Sequence, residues 1–235
     1  METTKETSNE ACAKDAGEMK LKCFVIIVGF DLSRDGLKED IERIKNTFRR
    51  LFDATILILE NKTKKEIMKE YRNLFLNKHT FAEYKFVAVF CLSHGLDDGQ
   101  LILNPGREIV DAQRLLLNPF FKFEQLDQKL KWLVVQSCRG DLNDYRPLQH
   151  DGITGVFPDF HFISYCTGEG TVSFQLNTEG KIYIQTLCKE LETNVREKSL
   201  CEMLDNVNLS FVNLGIAQPA RPDYKKNVND YRFYE

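Results

Sequence analysis

The sequence predicts a three-layer α/β domain, a mostly parallel central sheet with helices on both faces, and two observations carry that prediction. Short apolar runs alternate along the chain with amphipathic stretches of helical period. The runs are too continuously apolar to have one wet face, as strands covered on both sides by helices are.

Leu21 to Phe30 is predicted as the first buried strand. Gly36 to Leu51 follows with Leu37, Ile41, Ile44 and Phe48 at helical spacing. The unit repeats as a strand over Ala54 to Leu59, a helix over Lys64 to Phe75 and a β-branched and aromatic strand over Lys85 to Leu92. Leu96 to Arg107 reads as a small hairpin or loop, and Asp111 to Leu117 as a helix ended by Pro119. Strands are expected over Trp132 to Ser137 and Phe160 to Cys166, helices over Gly180 to Glu192 and Ser199 to Phe211, and a short terminal strand over Tyr231 to Tyr234. Two polar stretches with paired prolines, 141–158 and 217–230, have loop composition.

At 235 residues, with 43% apolar side chains, 13 Gly and 6 Pro, the chain has material for one packed domain, expected over 19–235. Residues 1–18 hold too few large apolar groups to pack and read as a disordered leader. The net charge of -3 comes from interspersed signs, which argues against nucleic acid or an anionic membrane as partner. No apolar run reaches the roughly 18 residues of a membrane span, and the leader lacks the features of a signal or transit peptide. Seven cysteines without paired spacing, several inside apolar runs, fit a reducing compartment, so a cytoplasmic location is expected.

Two residues stand out chemically. His94 and Cys138 each lie just past the carboxyl end of a predicted strand, where open α/β sheets hold their ligands. An imidazole beside a thiol can share its proton and later protonate a leaving amine, which is the chemistry of acyl transfer. The amides of Gly95 and Cys138 are candidates to hold a developing oxyanion. A single histidine or cysteine at a strand end is more often structural, and His79, His150 and His161 have no comparable setting. No two His or Cys share a metal-ligand spacing, so neither a metal nor another cofactor is expected. The absence of a G-x-G-x-x-G or phosphate loop after the first strand argues against a nucleotide-dependent enzyme.

Gln136-Ser137-Cys138-Arg139-Gly140 resembles the caspase signature Q-A-C-R-G, with His94 of Ser93-His94-Gly95 lying 44 residues upstream. Arg34-Asp35-Gly36 followed by Asp40 is similar to the family's R-x-G-x-x-x-D opening of the first helix. Gly180-Lys181-Ile182-Tyr183-Ile184-Gln185 resembles its G-x-W-F-I-Q run. The resemblance spans Met19 to Glu235 and implies a three-layer caspase-like fold. It makes Cys138 the nucleophile, His94 its proton-transfer partner, and Gly95 with Cys138 the oxyanion donors.

Caspases hold the substrate's P1 aspartate with two arginines and a glutamine, because a short carboxylate needs charged, forked donors. By resemblance, Arg34 and Gln136 fill two of these positions. The second arginine ends a Ser-Trp-Arg run in the family, whereas this chain has Ser173-Phe174-Gln175. Glutamine brings one neutral amide. A charged hydrogen bond contributes about 1.5–3 kcal/mol and truncating one partner of a buried charged pair costs about 2–5 kcal/mol, so aspartate capture is expected to fall by roughly ten-fold to several thousand-fold.

The resemblance also implies a division into a large-subunit part, 19–151, and a small-subunit part, 152–235, with Asp151 and Asp15 as candidate processing sites. It further implies pairing through the terminal strand, with a second copy or with an active caspase paralogue. Two functional readings stay open: a weak or inactive regulatory or decoy homologue of the apoptotic machinery, and a working cysteine endopeptidase that cuts after aspartate or an altered P1 residue.

Overall fold

A computed structural model describes residues 19–31, 36–76, 81–96, 100–103, 108–137, 160–167, 180–216, 222–227 and 230–234. Its elements run β1 (Lys22–Gly29), α1 (Leu37–Leu51), β2 (Asp53–Glu60), α2 (Lys64–Leu76), β3 (Phe86–Leu92), β4 (His94–Gly95), β5 (Gln100–Leu103), β6 (Glu108–Asp111), β7 (Leu130–Gln136), β8 (His161–Tyr165), α3 (Ile182–Asn194), α4 (Leu200–Asn213) and β9 (Asp223–Asn227). The main sheet has the order β2-β1-β3-β7-β8-β9. Its first five strands are parallel and β9 is antiparallel to β8. This is the mostly parallel sheet that the alternation predicts.

The pleat sorts side chains onto two cores. On β1, Cys23, Val25 and Ile27 face the layer of α1, α3 and α4, while Phe24, Ile26 and Val28 face α2 and the turns that follow β6. Every residue of β3 and β7 is buried. This is why β3 and the 132–135 part of β7 read as unbroken apolar runs rather than alternating ones. Helix α1 buries Leu37, Ile41, Ile44 and Phe48, the residues its spacing selects. It is tied to α3 by a forked pair, Arg43 Nη1 and Nη2 each 2.9 Å from a Glu192 oxygen, and by the Thr47 hydroxyl, which donates to the same carboxylate. Ser199 opens α4 with a reciprocal cap: its hydroxyl accepts from the Glu202 amide, and the Glu202 carboxylate accepts from the Ser199 amide.

Two expectations are corrected. Residues 231–234 form no strand, and the last strand is instead Asp223–Asn227, inside the stretch 217–230 that reads as loop. Tyr231 and Phe233 mimic strand alternation because Phe233 is buried against Phe52 (5.4 Å between ring centres), Phe86 (4.9 Å) and Trp132 (6.4 Å). The true strand, Asp-Tyr-Lys-Lys-Asn, is polar because it lies at the sheet's edge, where lysines are well tolerated. Pro119 also does not end a helix. A π-helical turn, Gln113–Leu117, continues into a 3-10 turn, Asn118–Lys122, with Pro119 in its first positions, where no amide is missed.

Among the described residues, no helix is long and apolar enough to cross a membrane.

Candidate active site at the carboxyl edge of the sheet

Parallel neighbours bring their carboxyl ends to one edge, and backbone hydrogen bonds extend the ladder past the strands here. The Phe30 amide donates to the Leu92 carbonyl (2.9 Å), the Ser93 amide to that of Gln136 (3.1 Å) and the Cys166 amide to that of Val135 (3.0 Å). Register does the rest. Each β3 residue pairs with the β7 residue 44 positions later, from Phe86 with Leu130 to Leu92 with Gln136. His94 and Cys138 are separated by the same 44 positions. Cys138 itself lies outside the described residues, as do Arg34, Ser173, Phe174, Gln175, Asp15 and Asp151, the leader 1–18 and the loop 141–158.

His94 is half-buried and Gly95 buried, both on β4, which pairs with β5 as His94 with Ile102 and Gly95 with Leu101. The predicted hairpin therefore begins two residues earlier than expected, at His94. Ser93 fixes its angle of departure: its amide is held by β7 and its hydroxyl donates to the Ile102 carbonyl at 2.8 Å. Sequence reasoning passed over Ser93 as a mere neighbour of the histidine, although a hydroxyl at a strand-to-hairpin junction is a signal for such a bond.

Gln136, the last residue of β7, is 1% exposed, and among the described residues its Oε1 has no hydrogen-bond partner; the buried Ser137 Oγ has none either. A buried polar atom left without any partner costs about 1–3 kcal/mol. Cys166 closes this side, its thiol donating to the Ser137 carbonyl at 3.0 Å. His161 is at the opposite end of the sheet from His94, at the start of β8 with its ring 5.8 Å from that of Phe121, in keeping with a structural role.

The glycine-led stretches at residues 36 and 180 meet in one contact. Gly36 has φ +82° and Gly180 φ +94°. A Cβ on Gly36 would lie 2.8 Å from the Gly180 Cα, and one on Gly180 would lie 2.5 Å from Asp40 Oδ1. The backbones can approach only because both lack side chains. Fully buried Asp40 then accepts from the Lys181 amide at 2.8 Å. The sequence offers both segments as separate signals, and the fold joins the start of α1 to the start of α3.

Among the described residues no group of three or more His, Cys, Asp or Glu could hold a metal. Cys23, Cys91, Cys166, Cys188 and Cys201 are buried thiols outside any disulfide. Burial pushes the Cys188 thiol up to about 12, chiefly by desolvation, as expected of inert packing.

Fold and site together define a three-layer α/β domain with its candidate site outside the carboxyl ends of adjacent parallel strands. The caspase domain family model matches residues 20–229, and the chain belongs to the caspase family of cysteine peptidases. Among curated relatives, the Caenorhabditis elegans protein named "Putative inactive caspase B" is 27% identical over 208 residues, covering 78% of this chain and 74% of its own length. Caspase-1 of Drosophila melanogaster is 28% identical over 213 residues, covering 83% of this chain and 60% of that protein. The crystal structure of caspase-1 from Spodoptera frugiperda shares the fold, with a TM-score of 0.71, 92% of this chain and 91% of that chain covered, and 22% identity.

Proposed function

We propose that this chain is a caspase homologue that pairs a Cys138 and His94 dyad with a weakened aspartate pocket. In this reading it acts as a catalytically weak or inactive regulatory or decoy partner of an active caspase paralogue in the apoptotic machinery, in the cytoplasm. The observation that carries the reading is Gln175, which ends Ser173-Phe174-Gln175 where the family's Ser-Trp-Arg run supplies a second cation. A neutral amide leaves the P1 carboxylate with Arg34 and Gln136. The Caenorhabditis elegans relative named "Putative inactive caspase B" supports such a role. Partner pairing is proposed at β9, the outer strand of the described sheet, in place of 231–234. Cleavage after Asp151, dividing 19–151 from 152–235, and after Asp15 belongs to the same proposal.

A second reading, a working endopeptidase, is favoured by the 44-residue β3 to β7 register, which matches the spacing of His94 and Cys138. One experiment separates the two: hydrolysis of fluorogenic tetrapeptides varied at P1 by the wild type and by Gln175→Arg and Cys138→Ala, each also mixed with an active caspase. Under the decoy reading, wild-type hydrolysis is negligible and appears with Gln175→Arg, while Cys138→Ala still alters the second caspase's rate. Robust wild-type turnover lost in Cys138→Ala would sink that reading and establish the endopeptidase, whose preferred P1 residue the peptide set reports.

A further inference from the structure

On the sheet face opposite α1, α3 and α4, a cleft of about 570 Å³ runs between α2 and the segment 109–123, sharing no residue with the candidate active site. We propose that it docks a short acidic peptide segment of a protein partner, one carrying aromatic or branched apolar side chains between its carboxylates.

Size, lining and charge each bear on this. The volume is within the roughly 300–1,000 Å³ of clefts that hold ligands. One wall is a single stripe of α2, with Lys64, Met68, Arg72 and Phe75 at helical spacing. Buried Tyr71 forms the base and is locked there, its hydroxyl donating to the Leu116 carbonyl at 3.1 Å. The facing wall includes the π-helical turn, a geometry frequent at functional sites. The aromatic and aliphatic floor suits apolar anchors.

The rim suits a peptide. Met68 is 50% exposed and Ile109 is 46% exposed, on opposite walls. A chain crossing the cleft would cover both, exposed apolar surface of the kind that marks a protein interaction site. Methionine is a side chain that adapts to such partners.

The cleft's charge sets the sign of the partner. Its lining holds four cations, Lys64, Arg72, Arg114 and Lys122, against one carboxylate, Asp111. Lys64 is paired with Glu108 at 3.6 Å, and Asp111 accepts from the Arg114 amide. Among the described residues, no carboxylate pairs with Arg72 or Lys122. The whole chain carries -3, so this positive patch is local rather than a result of composition. Such a patch steers and orients anionic segments.

The test uses the full chain carrying Cys138→Ala, so that no bound peptide is cut. Random twelve-residue peptides displayed on phage are panned against it, and selected peptides are labelled for fluorescence anisotropy. Acidic peptides with aromatic or branched apolar residues are expected to be enriched and to bind one to one. Affinity should fall about ten-fold or more in Arg72→Glu/Lys122→Glu, and on raising salt from about 50 to 300 mM. Met68→Asp tests the apolar wall independently and should weaken binding as well. All three altered residues are surface or rim positions, and circular dichroism and thermal melts establish that both variants fold like the parent. The proposal is overturned if no peptide is enriched, if those enriched are not acidic, or if both folded variants bind as the parent does. Binding of fluorescent laurate in this cleft without peptide binding would overturn it too, in favour of a small amphiphile.

Discussion

At the scale of single residues, the meeting of Gly36 and Gly180 is the most exacting feature of the fold. An L-residue in the left-handed region costs about 1–2 kcal/mol from backbone sterics alone. Gly215, with φ +75° and nothing within 4 Å of its notional Cβ, isolates that cost. At Gly180 the new methyl also collides with the Asp40 carboxylate, which accepts from the Lys181 amide. Gly180→Ala should therefore lower the urea midpoint clearly more than Gly215→Ala does. Equal losses would show that the Asp40 contact gives way at no cost.

Among the elements, the segment after β9 is not the strand its alternation imitates, yet it holds the domain together. The Tyr231 carbonyl accepts from the Leu200 amide at the start of α4 (2.8 Å), and the Tyr234 hydroxyl donates to the Leu51 carbonyl at the end of α1 (2.6 Å). Phe233, 4% exposed, fills the space between. Phe233→Ala should cost about 3–5 kcal/mol by cavity formation, read from denaturant unfolding. A loss under about 1 kcal/mol would mean that these aromatics are not a fixed part of the core.

At the scale of the whole molecule, one buried cation makes stability depend on pH. Lys131 on β7 is 3% exposed, and its ammonium donates to the Leu126 (2.7 Å) and Lys129 (2.9 Å) carbonyls. Desolvation brings it down to about 8, with Asp127 acting weakly in the other direction. A lysine lowered in the folded state destabilises below that value, and the penalty fades as pH rises toward the ordinary lysine value near 10.4, because there the unfolded chain binds the extra proton. Relative to Lys131→Met, the wild type should gain about 2 kcal/mol between pH 7 and 9.5, measured by urea unfolding of both; a pH-independent difference would refute the depressed ionisation. Periodicity within single elements sufficed for the α/β class, the buried β1, β3 and β7, the buried face of α1, the existence of α3 and α4, and the position of His94 past a strand end. Each of these is written in the burial of consecutive residues. The edge strand Asp223–Asn227 was not legible, since one wet flank removes the apolar run that marks a central strand. Nor was the packing of Phe233, whose alternation fits both strand and core. The contact of Gly36 with Gly180, the register that aligns Leu92 with Gln136, and the basic cleft beside α2 were decided by tertiary structure alone. They join residues far apart in the chain, and no local period records which distant backbone a glycine must admit or which cations will share a wall.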